Sequence, residues 1–105
     1  MGATLNVAAE KTGYTISDRA TYLANKSKLK LEILVEGDKS LLNVYHVIAV
    51  DPKKSTKINA VGAKAFEDFM VAPDTQDVIA KFGVDKYGQQ LFYPDAGKSD
   101  TEVGG

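Results

Sequence analysis

The run Leu31–Pro52, LEILVEGDKSLLNVYHVIAVDP, decides how the rest of the chain is read. Leu31, Ile33, Leu34 and Val35 make one short apolar stretch, and Tyr45, Val47, Ile48, Ala49 and Val50 make a second. Each is rich in β-branched residues, has the length of a strand and is too short for an independent helix. Between them Glu36-Gly37-Asp38-Lys39-Ser40 reads as a polar turn whose glycine is free to take φ > 0. Asp51-Pro52 ends the second stretch, because proline removes a ladder donor and forces its predecessor out of regular structure.

Helical periodicity flanks this unit on both sides. Met1, Leu5, Ala8 and Ala9 share one helix face, and Gly13 suits the left-handed position that closes that helix. Tyr14-Thr15-Ile16 is a short β-type run. Ser17 or Asp18 caps a second helix that turns Ala20, Leu23 and Ala24 inward and ends near Asn25. Lys26, Lys28 and Lys30 read as a solvated edge. Beyond Pro52, Asn59 caps a helix carrying Val61, Ala65, Phe66, Phe69 and Met70 on one stripe, and Ala72-Pro73 breaks it. Asp74 or Thr75 starts another, with Val78, Ile79 and Phe82, which Gly83 closes. Lys86–Gln89 is a turn, and Gln90–Tyr93 is a last strand stopped by Pro94. Strands alternating with helices predict an α/β fold. Residues 97–105, GKSDTEVGG, read as a disordered tail.

Composition narrows the function classes. With 105 residues the chain has material for one small domain, and at 44% hydrophobic and 26% charged it is ordinary globular protein. A net charge of -1 offers nucleic acid no basic field, and the lack of cysteine excludes disulfides and thiolate metal sites. No apolar run approaches the roughly 20 residues that span a bilayer. The opening MGATLNVAAEKTG has neither the basic nor the apolar region of a signal peptide, which leaves a cytoplasmic protein or a piece whose beginning is missing.

Few residues carry candidate chemistry. His46 is the single histidine and has no second His or Cys to share a metal, so it reads as a hydrogen-bonded structural residue. No G-x-S-x-G, G-x-G-x-x-G or P-loop pattern occurs, and without a nucleophile–base pair the chain does not read as an enzyme. No cofactor is implied. Two features remain. Met1-Gly2-Ala3-Thr4 enters a helix whose free N–H groups suit an oxyanion. Arg19, beside Asp18 and just after Tyr14-Thr15-Ile16, stands where a guanidinium either binds an anion or pairs with a neighbouring carboxylate; the residues themselves favour the pairing.

At this point the residues match a family. Met1–Leu5, Tyr14–Tyr22 (YTISDRATY), Leu34–Asp38 (LVEGD), Leu41–Tyr45 (LLNVY), Phe66-x-x-Phe69, Gln76-x-x-Ile79-x-x-Phe82 and Gln90–Pro94 (QLFYP), in this order and spacing, resemble the C-terminal half of the tungstate-binding proteins of bacterial ABC transporters. The resemblance runs to Ala96. It implies a partial periplasmic-binding-protein type II fold: residues 1–43 end a second lobe, 44–96 cross over and return to the first lobe, and Asn43, Val44 and Tyr45 form the hinge. It implies that Gly2, Ala3, Thr4, Tyr14, Thr15, Asp18 and Arg19 line a cleft for tungstate or molybdate, with Asp18 and Arg19 orienting that wall, and that an inner-membrane ABC permease receives the closed, periplasmic protein. The family's first-lobe anion loop is missing here, so the chain reads as about half of such a protein. Its uncovered apolar faces then imply self-association, as a homodimer. The competing reading is an interaction module that pairs with itself and has no ligand.

Overall fold

Side-chain caps at Asp18 and Asn59 start two helices where the sequence places them. In the computed structural model, which describes residues 1–103, α1 runs Gly2–Glu10, α2 Arg19–Asn25, α3 Ala60–Val71, α4 Pro73–Lys81 and α5 Val84–Tyr87. Asp18 caps α2 by accepting from the Thr21 N–H at 2.7 Å, and Asn59 caps α3 by accepting from the Gly62 N–H at 2.8 Å. Short 3-10 turns occupy Lys26–Lys28, Lys39–Leu41 and Pro52–Lys54. Asp38 and Asp51 nucleate the last two by accepting from the backbone N–H two residues on.

Three boundaries differ from the sequence reading. The left-handed residue after α1 is Thr12 (φ 53), not Gly13, because Lys11 already flanks the helix end. Thr12 and Gly13 then donate to the Ala9 and Ala8 carbonyls, the paired closure of a Schellman end. The helix α4 starts at Pro73 rather than at Asp74 or Thr75: the same proline that stops α3 fits the first position of α4, where no N–H is needed. Lys86 and Tyr87, expected in a turn over 86–89, instead end α5, a single helical turn closed by Gly88.

The larger correction concerns the sheet. Among the described residues no strand forms, neither over 31–35 and 45–50 nor over 14–16 and 90–93. Leu29, before the central unit, and Leu42, within it, do hold extended dihedrals (Leu29 φ -112, ψ 136; Leu42 φ -61, ψ 129). Gly37 takes the positive φ of 74 expected of the turn. A strand, however, requires a ladder partner, and among the described residues no ladder joins this segment to another. The Leu31 carbonyl is met by a side chain instead, the Tyr22 hydroxyl, at 3.0 Å.

Packing is local in consequence. Leu5 and Ala8 of α1 and Tyr22 of α2 are buried in one cluster, and Tyr22, rather than Ala20, Leu23 or Ala24, is the buried residue of α2. A second cluster surrounds Leu91: the Phe82 and Phe92 rings lie 6.1 Å apart, and the Gln76 side chain joins the Met70 carbonyl (2.8 Å) to the Ala96 N–H (3.1 Å). The stripe of α3 stays uncovered, with Val61 83%, Phe66 58% and Phe69 60% exposed. The accessible surface is 8538 Å², against about 5,700 Å² for a folded monomer of this mass. The radius of gyration is 17.5 Å, against roughly 13 Å for a compact chain of this length.

Residues 97–103 are not featureless. Glu102 accepts from the Ser99 N–H and hydroxyl, both at 2.7 Å, and Val103 is buried. Gly104 and Gly105 of the expected tail lie outside the described residues.

Gly83 is the most constrained glycine. It sits at φ 72, and an added Cβ would come within 2.8 Å of Leu91 Cδ1; Gly88 has a similar φ of 70 with open space around it. A left-handed alanine costs roughly 1–2 kcal/mol at either site. Gly83→Ala is therefore expected to destabilise the chain more than Gly88→Ala in urea unfolding; equal losses would show that Leu91 yields freely.

Candidate functional site

The Schellman end of α1 turns the chain back along its own helix. Ala3, Thr4, Val7, Ala8 and Lys11 of α1 and its flank then face Gly13, Tyr14 and Thr15 across an open hollow of about 480 Å³. Four residues expected at the site, Ala3, Thr4, Tyr14 and Thr15, thus share one wall-to-wall space. The N–H groups of the first helical turn have no intrahelical acceptor, and Met1 provides no side-chain cap there. The Tyr14 ring is 90% exposed and its edge stands open to solvent. Gly2 begins α1 but does not line the hollow.

Asp18 and Arg19 lie outside the hollow, along the much larger groove that Tyr14 and Thr15 also border. Asp18 is fully engaged in capping: one carboxylate oxygen takes the Thr21 N–H at 2.7 Å and the other takes the Thr21 hydroxyl at 2.8 Å. Partial burial acts to raise its pKa, and the Thr21 hydrogen bonds outweigh that effect, so the carboxyl sits below its ordinary value. A committed acceptor has nothing to donate to an oxyanion, and what Asp18 does here is hold the start of α2.

Arg19 opens α2 and is the only arginine of the chain. Its Nη1 donates to the Tyr93 hydroxyl at 3.0 Å, and Nη2 lies 3.5 Å from Glu36 Oε2. The carboxylate pairing that the residues favoured is present, with Glu36 as the partner. Tyr93, 74 positions away, gave no local signal of this role. Lys11 was also missed, although it follows Thr4 and Ala8 at helical spacing and brings a cation to the hollow.

The remaining expectations fall elsewhere. The Asn43 side chain donates to the Tyr45 hydroxyl at 3.3 Å, and both residues are exposed, in the segment read as a hinge. His46 is exposed and stands 3.5 Å from Asp100. Among the described residues no three His, Cys, Asp or Glu side chains cluster as metal ligands, and no helix is long and apolar enough to cross a membrane.

Comparison with known proteins places the chain in a family. Residues 1–74 match the family described as the PBP superfamily domain. The chain belongs to that superfamily, a class of binding domains, and its fold is of the periplasmic-binding-protein type. It is 49% identical over 98 residues to the tungstate-binding protein TupA of Peptoclostridium acidaminophilum, an alignment covering 93% of this chain and 34% of the relative. The tungstate-binding protein TupA of Campylobacter jejuni is 39% identical over 100 residues, covering 91% of this chain and 36% of the relative. A Haloferax volcanii protein named as an ABC transporter anion-binding protein is 37% identical over 109 residues, covering 99% of this chain and 31% of the relative. The chain therefore spans about a third of the length of the curated relatives it matches. No solved structure matches it.

The Asp18 cap makes a pH-dependent contribution with a defined sign. A carboxyl with a depressed folded pKa stabilises above its unfolded value, near 3.8, and loses that contribution as pH falls through the folded value. Asp18→Ala is expected to cost about 1 kcal/mol of α2 stability at neutral pH. Asp18→Asn keeps most of the cap and removes its acid dependence, checked by helical circular dichroism against pH.

Proposed function

We propose that this chain is part of the substrate-binding component of an ABC transporter for tungstate or a related tetrahedral oxyanion. The observation that carries the reading is the shared hollow, in which the uncapped first turn of α1 meets Tyr14 and Thr15, in a chain 49% identical to a tungstate-binding protein. A tetrahedral dianion needs converging N–H and O–H donors. Thr4, Tyr14, Thr15 and Lys11 line the hollow and Arg19 lines the groove that Tyr14 and Thr15 also border, and their side chains carry O–H and N–H donors. No bond is made or broken, so the activity is capture and release rather than catalysis.

The finer reading follows the resemblance. Residues 1–43 belong to a second lobe, 44–96 cross back towards a first lobe, and Asn43, Val44 and Tyr45 bend when the lobes close. In the longer protein the apolar stretches 31–35 and 45–50 pair as strands, giving the α/β sheet, and the α3 stripe is covered. The closed form meets an ABC permease at the outer face of the cytoplasmic membrane, in the periplasm where there is one. Tungstate and molybdate have the same shape and charge, so donors on the opposite lobe set the preference between them.

A second reading, a self-pairing homodimer without a ligand, draws its support from the exposed apolar surface alone, since 8538 Å² leaves ample area to bury. Sedimentation tests it: a monomer at high protein concentration removes it.

Titration of the isotope-labelled chain with tungstate, molybdate and sulfate, read by amide NMR, tests the main proposal. Weak binding is expected, with shifts concentrated at residues 2–4 and 14–19. The absence of any shift at millimolar tungstate would overturn it. Micromolar binding by the chain alone would instead show that no donors from an opposite lobe are required.

A further inference from the structure

We propose that Glu36 is a resident counterion for Arg19, a built-in competitor that an incoming oxyanion must displace. The proposal rests on the oxyanion reading above and adds a residue that sets the threshold of the site.

The two partners of Arg19 differ in kind. Tyr93 is neutral and holds Nη1 at 3.0 Å, which orients the guanidinium plane without consuming its charge. Glu36 is charged, approaches Nη2 at 3.5 Å through one oxygen, and has a side chain 61% exposed against 32% for Arg19. This is a long single-point pair and not a bidentate fork, the weak class of surface ion pair. Glu36 also precedes Gly37, whose φ of 74 marks a tight turn, so the carboxylate hangs from a loop and not from a helix or strand.

Among the described residues, Glu36 is the carboxylate paired with that guanidinium. Asp18, its sequence neighbour, spends both oxygens on Thr21. Asp95 and Asp100 border the same groove, yet Asp95 is paired with Lys98 and Asp100 stands at His46. Glu36 and a dianion at Nη2 repel each other, since both are negative and the guanidinium supplies one charge. A dianion arriving at Nη2 therefore drives Glu36 away, while the Tyr93 bond is free to persist. A weak placeholder of this sort keeps the guanidinium neutralised when no anion is present and costs little to remove.

Because Arg19 is the chain's only arginine, its side-chain Nε–H resonance reports the exchange directly in the isotope-labelled chain. The probes are sodium tungstate and sodium sulfate, added to the wild-type chain, Glu36→Gln, Glu36→Ala and Tyr93→Phe. Removing a surface competitor of this class should tighten tungstate binding roughly two- to fivefold in both Glu36 variants, with unfolding temperatures unchanged from wild type. Tyr93→Phe should weaken binding, because the guanidinium loses its orientation. If tungstate moves the Arg19 signal but the Glu36 variants bind equally or more weakly, or unfold earlier, Glu36 is a structural latch and the proposal fails while the oxyanion reading stands. If tungstate moves residues 2–4 and 14–15 without moving Arg19, the anion does not use Arg19 and the proposal again fails alone. If no resonance moves in any form, both readings fall.

Discussion

Extended backbone carries a donor and an acceptor at every residue, and both must be met by a ladder or by water. From Lys30 to Val50 this chain offers them almost no partners of its own. Among the described residues the Leu31 carbonyl has the Tyr22 hydroxyl, and the Lys39–Leu41 turn closes on itself. The rest of the stretch stays in water, with Ile33, Leu34, Val35, Tyr45, Ile48 and Val50 exposed. The surface of 8538 Å² and the radius of 17.5 Å follow from that one deficit. A sheet is the surface on which helices of an α/β fold bury their apolar stripes, and where it is missing the stripe of α3 has nothing to cover.

The helices persist regardless, because their bonds and caps lie within a few residues. Asp18, Asn59 and the paired Thr12 and Gly13 amides satisfy the ends of α2, α3 and α1 locally. Charge pairs one helical turn apart, Lys64 with Asp68 and Lys81 with Asp77, add a few tenths of a kcal/mol at the surface. The candidate site inherits this division. The hollow of Ala3, Thr4, Tyr14 and Thr15 exists because one helix end folds the chain back on itself, which needs no sheet. Arg19 depends instead on contacts reaching 17 and 74 positions along the chain.

Membership of the PBP superfamily gives these observations a common frame. The residues of this chain that border the hollow include the hydroxyl-bearing Thr4, Tyr14 and Thr15 and the cationic Lys11. The relatives named for tungstate binding are about three times its length.

Sequence alone determined the features whose causes are short-ranged. The caps at Asp18 and Asn59, the positive φ of Gly37 and Gly83, the α1 face with Leu5 and Ala8, and the motifs from YTISDRATY to QLFYP were all legible because each depends on neighbours within one or two turns. Small shifts escaped it, such as Thr12 taking the left-handed position in place of Gly13, since one residue of helix length moves the cap. Strand-forming residues at 31–35 and 45–50 were also legible, but a strand is a property of two segments, and propensity in one cannot supply the other. Only the tertiary structure decided that those stretches lie unpaired, that Tyr22 is the buried residue of α2, and that Arg19 is held between Tyr93 and Glu36. Each of these turns on which distant groups meet in space, and spacing along a chain does not encode that.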